Sequence, residues 1–204
     1  MEILDVRKKY KEFYQPKPGR VEFLDIPAMY FLMVDGTGNP NTSPDYSDCV
    51  SALYSVTYTQ KFKIKKIKGI DYNLLALEGL WWMDDMTLFS VEKKDEWKWT
   101  MMISQPDFIT REEIFDTIAE LERKKPNPAL SRVRYEIFNE GLSAQVMHIG
   151  PYTAEKPTVD LLHRSIAENG YRLRDKHHEI YLGDPRKTAP EKLKTIIRQP
   201  VSRD

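Results

Sequence analysis

The stretch His177-His178-Glu179-Ile180-Tyr181-Leu182 places a single carboxylate inside a strand-like run of aromatic and aliphatic residues. The earlier stretch 74–82, LLALEGLWW, does the same with Glu78. Each run follows an amphipathic helix, and each precedes a strand that ends in Gln-Pro, at 105–106 and at 199–200. Because burying a carboxylate among apolar groups is costly without a partner, the two strands indicate a repeated unit whose carboxylates line one shared, aromatic pocket.

Composition limits the class of protein and its partners. The chain has 204 residues, with 31 Lys and Arg against 31 Asp and Glu, so its formal net charge is zero. General nucleic-acid surfaces need a basic excess, so we expect no direct contact with nucleic acid. The single cysteine, Cys49, excludes an internal disulfide and fits a reducing compartment. No run approaches the ~20 apolar residues of a membrane helix and no signal peptide is recognisable, so a cytoplasmic protein without membrane contact is predicted.

The order of predicted elements favours an α+β fold. A charged arm at 1–20 precedes a first module at 21–106, and a second module covers 132–204. Each module reads as strand, helix, strand, strand, and a helix within 107–131 that has no counterpart connects them. Such an order gives antiparallel strands with helices on one face. Two joined, pseudo-symmetric modules are expected to form one domain over 1–204, with a central ligand groove on the helix-free face.

Strand residues alternate between the two faces of a sheet, and this alternation assigns directions to the candidate side chains. If Ile180 faces its helix, Glu179 faces away from it. If Leu77 faces its helix, Glu78 and Trp82 face away. The two carboxylates are therefore predicted on the same helix-free face, provided that no bulge interrupts the strands.

Four motifs together resemble the GyrI-like small-molecule-binding domain. They are Tyr46…Leu53-Tyr54 on the first helix, LEGLW at 77–81, VMHIGPY at 146–152 and HHEIYLGDPR at 177–186. The resemblance covers most of the chain and implies two strand-helix-strand-strand modules around a central groove, in agreement with the order of elements.

The resemblance also implies a function. In multidrug-sensing transcription regulators this domain follows a DNA-binding module, and a Glu and aromatic residues in its groove hold cationic, planar, apolar drugs. Residues 1–20 are too few for such a module. Stand-alone members with these motifs look like a branch that hydrolyses cyclopropane-bearing DNA-alkylating natural products, in which a groove Glu activates water. That role carries over to Glu179 first and to Glu78 second, and burial is expected to raise the pKa of Glu179 toward neutral pH.

Further side chains are expected to complete the site. The pattern leaves open which face carries the tryptophans of strand 97–103, while Trp81 is predicted in the core. Adjacent strand residues diverge and no third ligand has suitable spacing, so neither a metal nor another cofactor is predicted. The candidates are Tyr152 as a catalytic hydroxyl and Trp82, Trp97, Trp99, His177 and Tyr181 as ligand contacts.

Three functions fit the sequence. The first is a cofactor-free hydrolase of cyclopropane-bearing electrophiles. The second is a sequestering or sensing module that holds aromatic cations with an ionised Glu and with aromatic faces. The third is an interaction domain of the inhibitor type. A small aromatic or cationic molecule is the expected partner in the first two, and the sequence indicates no oligomeric state.

Overall fold

The computed structural model describes residues 2–203. Met1, which begins the predicted arm, and Asp204, which ends the second module, lie outside the described residues. The helices are α1 (Val6–Lys9), α2 (Lys11–Tyr14), α3 (Pro44–Lys68), α4 (Arg111–Lys124) and α5 (Lys156–Glu168). The strands are β1 (Glu2–Leu4), β2 (Glu22–Ile26), β3 (Met29–Thr37), β4 (Ile70–Tyr72), β5 (Leu77–Trp82), β6 (Lys98–Gln105), β7 (Arg134–Phe138), β8 (Gly141–Ile149), β9 (Arg172–Leu173), β10 (His177–Tyr181) and β11 (Lys194–Ser202).

The chain forms two compact units. Unit 1 contains the chain up to Lys9, Met29–Leu75 and Trp81–Phe138; unit 2 contains Tyr10–Ala28, Ala76–Leu80 and the chain from Asn139 onward. In unit 1, β3 pairs antiparallel with both β6 and β7, and β1 pairs with β4 in parallel. In unit 2, β8 pairs antiparallel with β2 and β11, and β11 with β10. The predicted α+β class is confirmed.

Strand pairing exchanges one strand between the two sequence modules. β2 belongs to the predicted module 21–106 but pairs with β8, and β7 belongs to 132–204 but pairs with β3. Hydrophobic periodicity shows which face of a strand is apolar but not which strand lies beside it, so the pattern does not reveal this exchange. The helix predicted within 107–131 is α4, which packs on α3 in unit 1.

Helix α3 provides much of the core of unit 1. The Ser43 hydroxyl accepts a hydrogen bond from the backbone N–H of Tyr46, and Pro44 takes the first helical position. Serine before the first turn and proline at the first helical position both favour the start of a helix. Gly69 ends the helix with a left-handed φ of 68°, a conformation that glycine adopts without strain.

Aromatic rings pack beneath α3. Trp81 is buried and stacks on Tyr46 with 6.2 Å between ring centroids, and the edge of Trp99 meets the same tyrosine at 5.1 Å. Gly36 on β3 is paired with Trp99 on β6. A Cβ atom at Gly36 would approach the indole ring of Trp99 to 2.0 Å, so the ring occupies the space that a larger residue would need.

Helix α5 covers one face of unit 2. Its buried residues Leu162 and Ile166 pack on Val146 of β8 and Ile197 of β11, and Val159 joins them at helical spacing. The face of the strands that carries Val146 and Ile197 is therefore the helix face of unit 2. Because side chains alternate along a strand and directly paired residues share a face, the other residues of these strands can be assigned to the helix face or to the opposite face.

Candidate functional site

Strand β10 carries its side chains to two different environments. Its register with β11 pairs His178 with Arg198 and Glu179 with Ile197. Directly paired residues project from the same face of a sheet, and Ile197 belongs to the core under α5. Glu179 therefore lies on the helix face of unit 2, and His178 and Arg198 lie on the opposite face.

On the face opposite α5, the His178 ring lies between two carboxylates. Its Nδ1 atom is 2.7 Å from Oε1 of Glu140, and its Nε2 atom is 3.0 Å from Oε2 of Glu78. An ionised carboxylate only accepts hydrogen bonds, so two such bonds require that both ring nitrogens carry protons. All three side chains are buried, and Glu78 has no exposed surface.

Arg198 adds a second positive charge to this arrangement. Its Nη1 donates to Oε2 of Glu140 at 3.0 Å, and its Nε and Nη2 donate to Oε1 of Gln145 at 3.0 and 2.9 Å. Two carboxylates and two cations therefore balance inside unit 2, as buried charges require. These residues, Glu78, Glu140, Gln145, His178 and Arg198, are called the buried network below.

The segment Tyr10–Pro18, called the strap below, encloses the buried network. The Tyr14 hydroxyl donates to Oε1 of Glu78 at 2.6 Å, and the main-chain carbonyl of Phe13 accepts a hydrogen bond from Arg198 at 2.5 Å. Both strap side chains are buried. Part of the segment that the sequence predicts as a charged arm therefore contributes buried side chains to unit 2.

Charge pairing sets the protonation of the buried network. Burial lowers the pKa of His178, but the carboxylates of Glu140 and Glu78 outweigh burial and raise that pKa to about 9. Burial raises the pKa of Glu140, but His178 and Arg198 outweigh burial and hold it at about 2. Burial, with the charge of Glu78, raises the pKa of Tyr14 well above its ordinary value. At neutral pH His178 is therefore a cation and Glu140 an anion.

On the helix face, Glu179 lies in a second set of polar and aromatic groups. Its Oε1 is 3.1 Å from Nε2 of His177, and its Oε2 accepts a hydrogen bond from the Tyr181 hydroxyl at 2.8 Å. The rings of Tyr181 and Tyr152 meet edge-on with centroids 5.7 Å apart. The side chain of Glu179 is 16% exposed and Tyr152 is 38% exposed. This Glu179 cluster of four residues can therefore contact a small molecule from solvent.

Glu179 is ionised in its cluster. Burial acts to raise its pKa, but hydrogen bonding and charge from His177, together with the Tyr181 hydroxyl, outweigh burial and lower the pKa below its ordinary value. The expectation that burial raises this pKa toward neutrality is wrong, because residues two positions away on the same face supply compensating donors. The carboxylate can hold water or a cation, but it is a weak base near neutral pH.

The two carboxylates singled out by the sequence lie in different places. Glu78 is enclosed by Tyr14 and His178, whereas Glu179 lies on the helix face. The prediction that both occupy one helix-free face is therefore wrong. Alternation itself holds along β10, but Ile180 is on the face of the buried network and not, as expected, on the helix face. Within unit 2 the strap covers the face of the buried network. Both faces of β10 are therefore largely buried, and the sequence pattern does not distinguish them.

The predicted tryptophan contacts belong to unit 1. Trp97 and Trp99 are buried; Trp97 meets Trp81 edge-on at 5.4 Å, and Trp99 meets Tyr46. Both side chains pack in the core of this unit. Trp82 is partly exposed and Trp81 is buried, which confirms the expectation that Trp81 is a core residue. The contribution of Trp82 to ligand binding stays a prediction.

Three members of the buried network and the strap escape sequence reasoning. Glu140 reads as a turn residue before Gly141, and Tyr14 reads as part of the arm. Arg198 lies in the last predicted strand, and the pattern assigns it no role. One signal in the sequence points to Arg198, because an Arg that directly follows Ile196 and Ile197 in a strand needs an acidic partner if it is buried, as a lone buried Glu needs a basic one.

Neither a membrane-spanning helix nor a metal-binding cluster of three or more side chains is found among residues 2–203. No helix in this range has the length and apolarity needed to cross a bilayer. No group of three or more His, Cys, Asp or Glu side chains in this range is arranged to hold a metal ion.

Comparison with known proteins assigns the chain to a family. Residues 20–202 match the GyrI-like family, described as a GyrI-like small molecule binding domain, and the chain therefore belongs to it. No curated protein matches the chain.

Solved structures support the same assignment. An uncharacterized conserved protein from Listeria innocua is 40% identical, with a TM-score of 0.91 and coverage of 98% of this chain and 100% of that one. A hydrolase from Listeria innocua is also 40% identical, with a TM-score of 0.87 and coverage of 99% and 100%. The EcmrR C-terminal domain is 16% identical, with a TM-score of 0.57 and coverage of 91% and 98%, and shares the fold alone.

Proposed function

We propose that this chain binds a planar aromatic molecule at the Glu179 cluster and hydrolyses a strained cyclopropane ring in it, as found in cyclopropane-bearing DNA-alkylating compounds. Membership of a small-molecule-binding family supports the binding role, and 40% identity over almost the whole length to a protein named a hydrolase supports the reaction class. The observation that carries the proposal is an ionised, partly exposed carboxylate, Glu179, bonded to His177 and Tyr181 beside the ring of Tyr152.

The proposed reaction adds one water molecule to the substrate. The water oxygen attacks a ring carbon while the bond between that carbon and the spiro carbon breaks, and the electron pair of this bond converts the conjugated dienone into a phenolate. The proton that the water loses reaches the phenolate oxygen through solvent, which gives the phenol. Glu179 holds the water through oxygen lone pairs that its bonds to His177 and Tyr181 leave open. Tyr152 offers a hydroxyl to the dienone oxygen, where negative charge develops, and a ring face to the planar substrate. The scheme uses no cofactor.

A non-catalytic sensor or sequestering module for aromatic cations is the second candidate. The lowered pKa of Glu179 favours it, because an ionised carboxylate beside tyrosine rings attracts cations by charge and by cation–π contact. No comparable observation favours an inhibitor-type interaction domain.

Incubation with a cyclopropane-bearing spirodienone separates the two candidates. The wild type is expected to convert this compound to its phenolic hydration product, detected by mass spectrometry. Glu179→Gln should reduce turnover by about 100-fold or more, because it removes the charge that holds the water, and should preserve affinity for a neutral planar ligand. Glu168→Gln, at the exposed end of α5, is the matched control and should keep full turnover. A wild type that binds a cationic dye but never hydrates the spirodienone would establish the sensor instead.

A further inference from the structure

His148 lies in the same row of the sheet as Tyr181 of the Glu179 cluster. Its register partner on β11 is Thr195, and Thr195 is in turn paired with Tyr181 on β10. Directly paired residues project from the same face of a sheet, and Ile197, two positions along β11 from Thr195, packs under α5. His148 therefore projects from the helix face, two strands away from Tyr181.

The imidazole of His148 binds the loop between β8 and α5 on both sides. Its Nε2 is 3.2 Å from the carbonyl oxygen of Pro151, and its Nδ1 is 2.9 Å from the hydroxyl of Thr158 in the first turn of α5. Because a carbonyl only accepts, Nε2 carries the proton, and in the neutral ring Nδ1 accepts a hydrogen bond from the Thr158 hydroxyl. The loop backbone passes so close that a Cβ atom at Gly150 would lie 3.3 Å from Nε2 of His148. The ring is buried, so these bonds form with little competition from water.

The loop that His148 binds carries Tyr152. The Pro151 carbonyl and the Tyr152 N–H belong to one planar peptide unit. That carbonyl accepts a second hydrogen bond, at 2.9 Å, from the backbone N–H of Ala154 in the short helical turn that Tyr152 begins. His148 and Ala154 therefore fix the orientation of the peptide unit from which the Tyr152 side chain projects.

We propose that His148 is a positioning residue, which through this loop holds the Tyr152 hydroxyl in place for the dienone oxygen; this inference rests on the proposed function. The Tyr152 ring meets Tyr181 edge-on at 5.7 Å, and Tyr181 donates to Glu179, so the loop places Tyr152 beside the carboxylate that holds the water. Tyr152 is 38% exposed, so packing leaves part of its ring open to solvent. A hydroxyl that stabilises developing charge works best when it is oriented before the reaction, and a small misplacement is costly in rate.

The test is a double-mutant cycle on the full chain, with the spirodienone as substrate and kcat measured for wild type, His148→Leu, Tyr152→Phe and the double variant. His148→Leu should lower kcat by about 10-fold to 100-fold. The change in KM should be smaller, because the Tyr152 hydroxyl is needed most in the transition state. In the Tyr152→Phe background the same substitution should change kcat little, since the hydroxyl that His148 positions is already absent. A purely structural role would give the same loss in both backgrounds.

Two further variants complete the test. His148→Gln should recover part of the activity that His148→Leu loses, because its side-chain amide can donate to the Pro151 carbonyl in place of Nε2. Lys156→Gln is the matched control and should keep the wild-type kcat. It removes a bond to Asp160 in the same turn of α5 as Thr158, but this bond lies at the surface, with the Lys156 side chain 81% exposed.

The outcomes that overturn the inference differ from those that overturn the proposed function. An active wild type whose kcat is unchanged in His148→Leu, or falls equally in both backgrounds, shows that His148 does not act through Tyr152 and leaves hydrolysis intact. Wild-type kcat in Tyr152→Phe likewise overturns the inference, and a wild type without turnover overturns both. If His148→Leu does not fold, as judged by circular dichroism, Thr158→Val takes its place in the cycle with the same expected result, because it removes the hydroxyl that orients the ring at similar volume.

Discussion

His178 and Glu179 are neighbours on β10, and their side chains lie on opposite faces of unit 2. His178 is enclosed between the carboxylates of Glu78 and Glu140, whereas Glu179 is partly exposed beside His177. Buried charges on the opposite face therefore help to hold the strand that carries the partly exposed carboxylate. The position of Glu179 therefore depends in part on a network on the other face of the strand.

Removing one charge from the buried network is expected to destabilise the protein strongly. Glu140→Gln would leave His178 and Arg198 without their shared counter-charge, and breaking a buried ion pair typically costs about 3–5 kcal/mol. Chemical denaturation measures the change in the free energy of unfolding. Glu136→Gln is the matched control, because its ion pair with Arg134 is at the surface, with Glu136 46% exposed. The free energy of unfolding of Glu136→Gln should fall by less than about 1 kcal/mol. An equal fall in both variants would show that the buried ion pairs stabilise the protein no more than the surface pair does.

The buried network also predicts how stability depends on pH. The folded-state pKa of His178, about 9, exceeds its ordinary value of 6.5, so its contribution is complete below pH 6.5 and is lost as the pH rises through 9. The pKa of Glu140, about 2 against an ordinary 4.5, gives a contribution that is present above pH 4.5 and lost toward pH 2. The network therefore stabilises most between pH 4.5 and 6.5.

Urea denaturation across pH 3 to 10 checks this dependence. His178→Gln should be less stable at pH 6 and should show a flatter decline between pH 6.5 and 9. An alkaline decline of the same size in wild type and variant would mean that other groups cause it.

Gly36→Ala should destabilise unit 1. The new methyl group would overlap the indole of Trp99, and overpacking a filled core typically costs about 1–3 kcal/mol. Gly183→Ala is the control, because the nearest atom to its added methyl group is 3.4 Å away and neither glycine has a left-handed backbone. Thermal melts compare the two; a harmless Gly36→Ala would show that the Trp99 ring can move.

Trp81 and Trp82 should respond differently to truncation. Trp81 is buried against Tyr46, so Trp81→Ala should lower the free energy of unfolding by about 3–5 kcal/mol. Trp82→Ala should change stability less and weaken the binding of flat aromatic ligands by about 0.5–1.5 kcal/mol. Melts and ligand titrations on both variants decide the matter, and normal affinity in Trp82→Ala would show that this side chain does not contribute to ligand binding.

Local signals in the sequence predict the helices well. Ser43 and Pro44 begin α3, and Thr110 and Glu113 form the capping box that begins α4. These contacts join residues within one turn of helix, so the chain order alone specifies them. The same holds for the shared face of His177, Glu179 and Tyr181, which follows from alternation along one strand.

The direction of that face could not be predicted. Alternation places Glu179 and Ile180 on opposite faces but does not say which of them meets a helix. The answer depends on the strap, which covers the second face through Phe13 and Tyr14 and makes it as buried as the first. Contacts between such distant parts of the chain leave no periodic signal.

The hydrogen bond between Arg198 and the carbonyl of Phe13 spans 185 positions of the chain, and it has a consequence for biosynthesis. Synthesis proceeds at roughly 5–20 residues per second, so these positions take on the order of 10–40 s. Throughout that interval the carbonyl of Phe13 lacks its partner Arg198. A ribosome-bound chain that stops before Arg198 should therefore expose its strap to chaperones, and the strap should become protected only after the last strand has emerged.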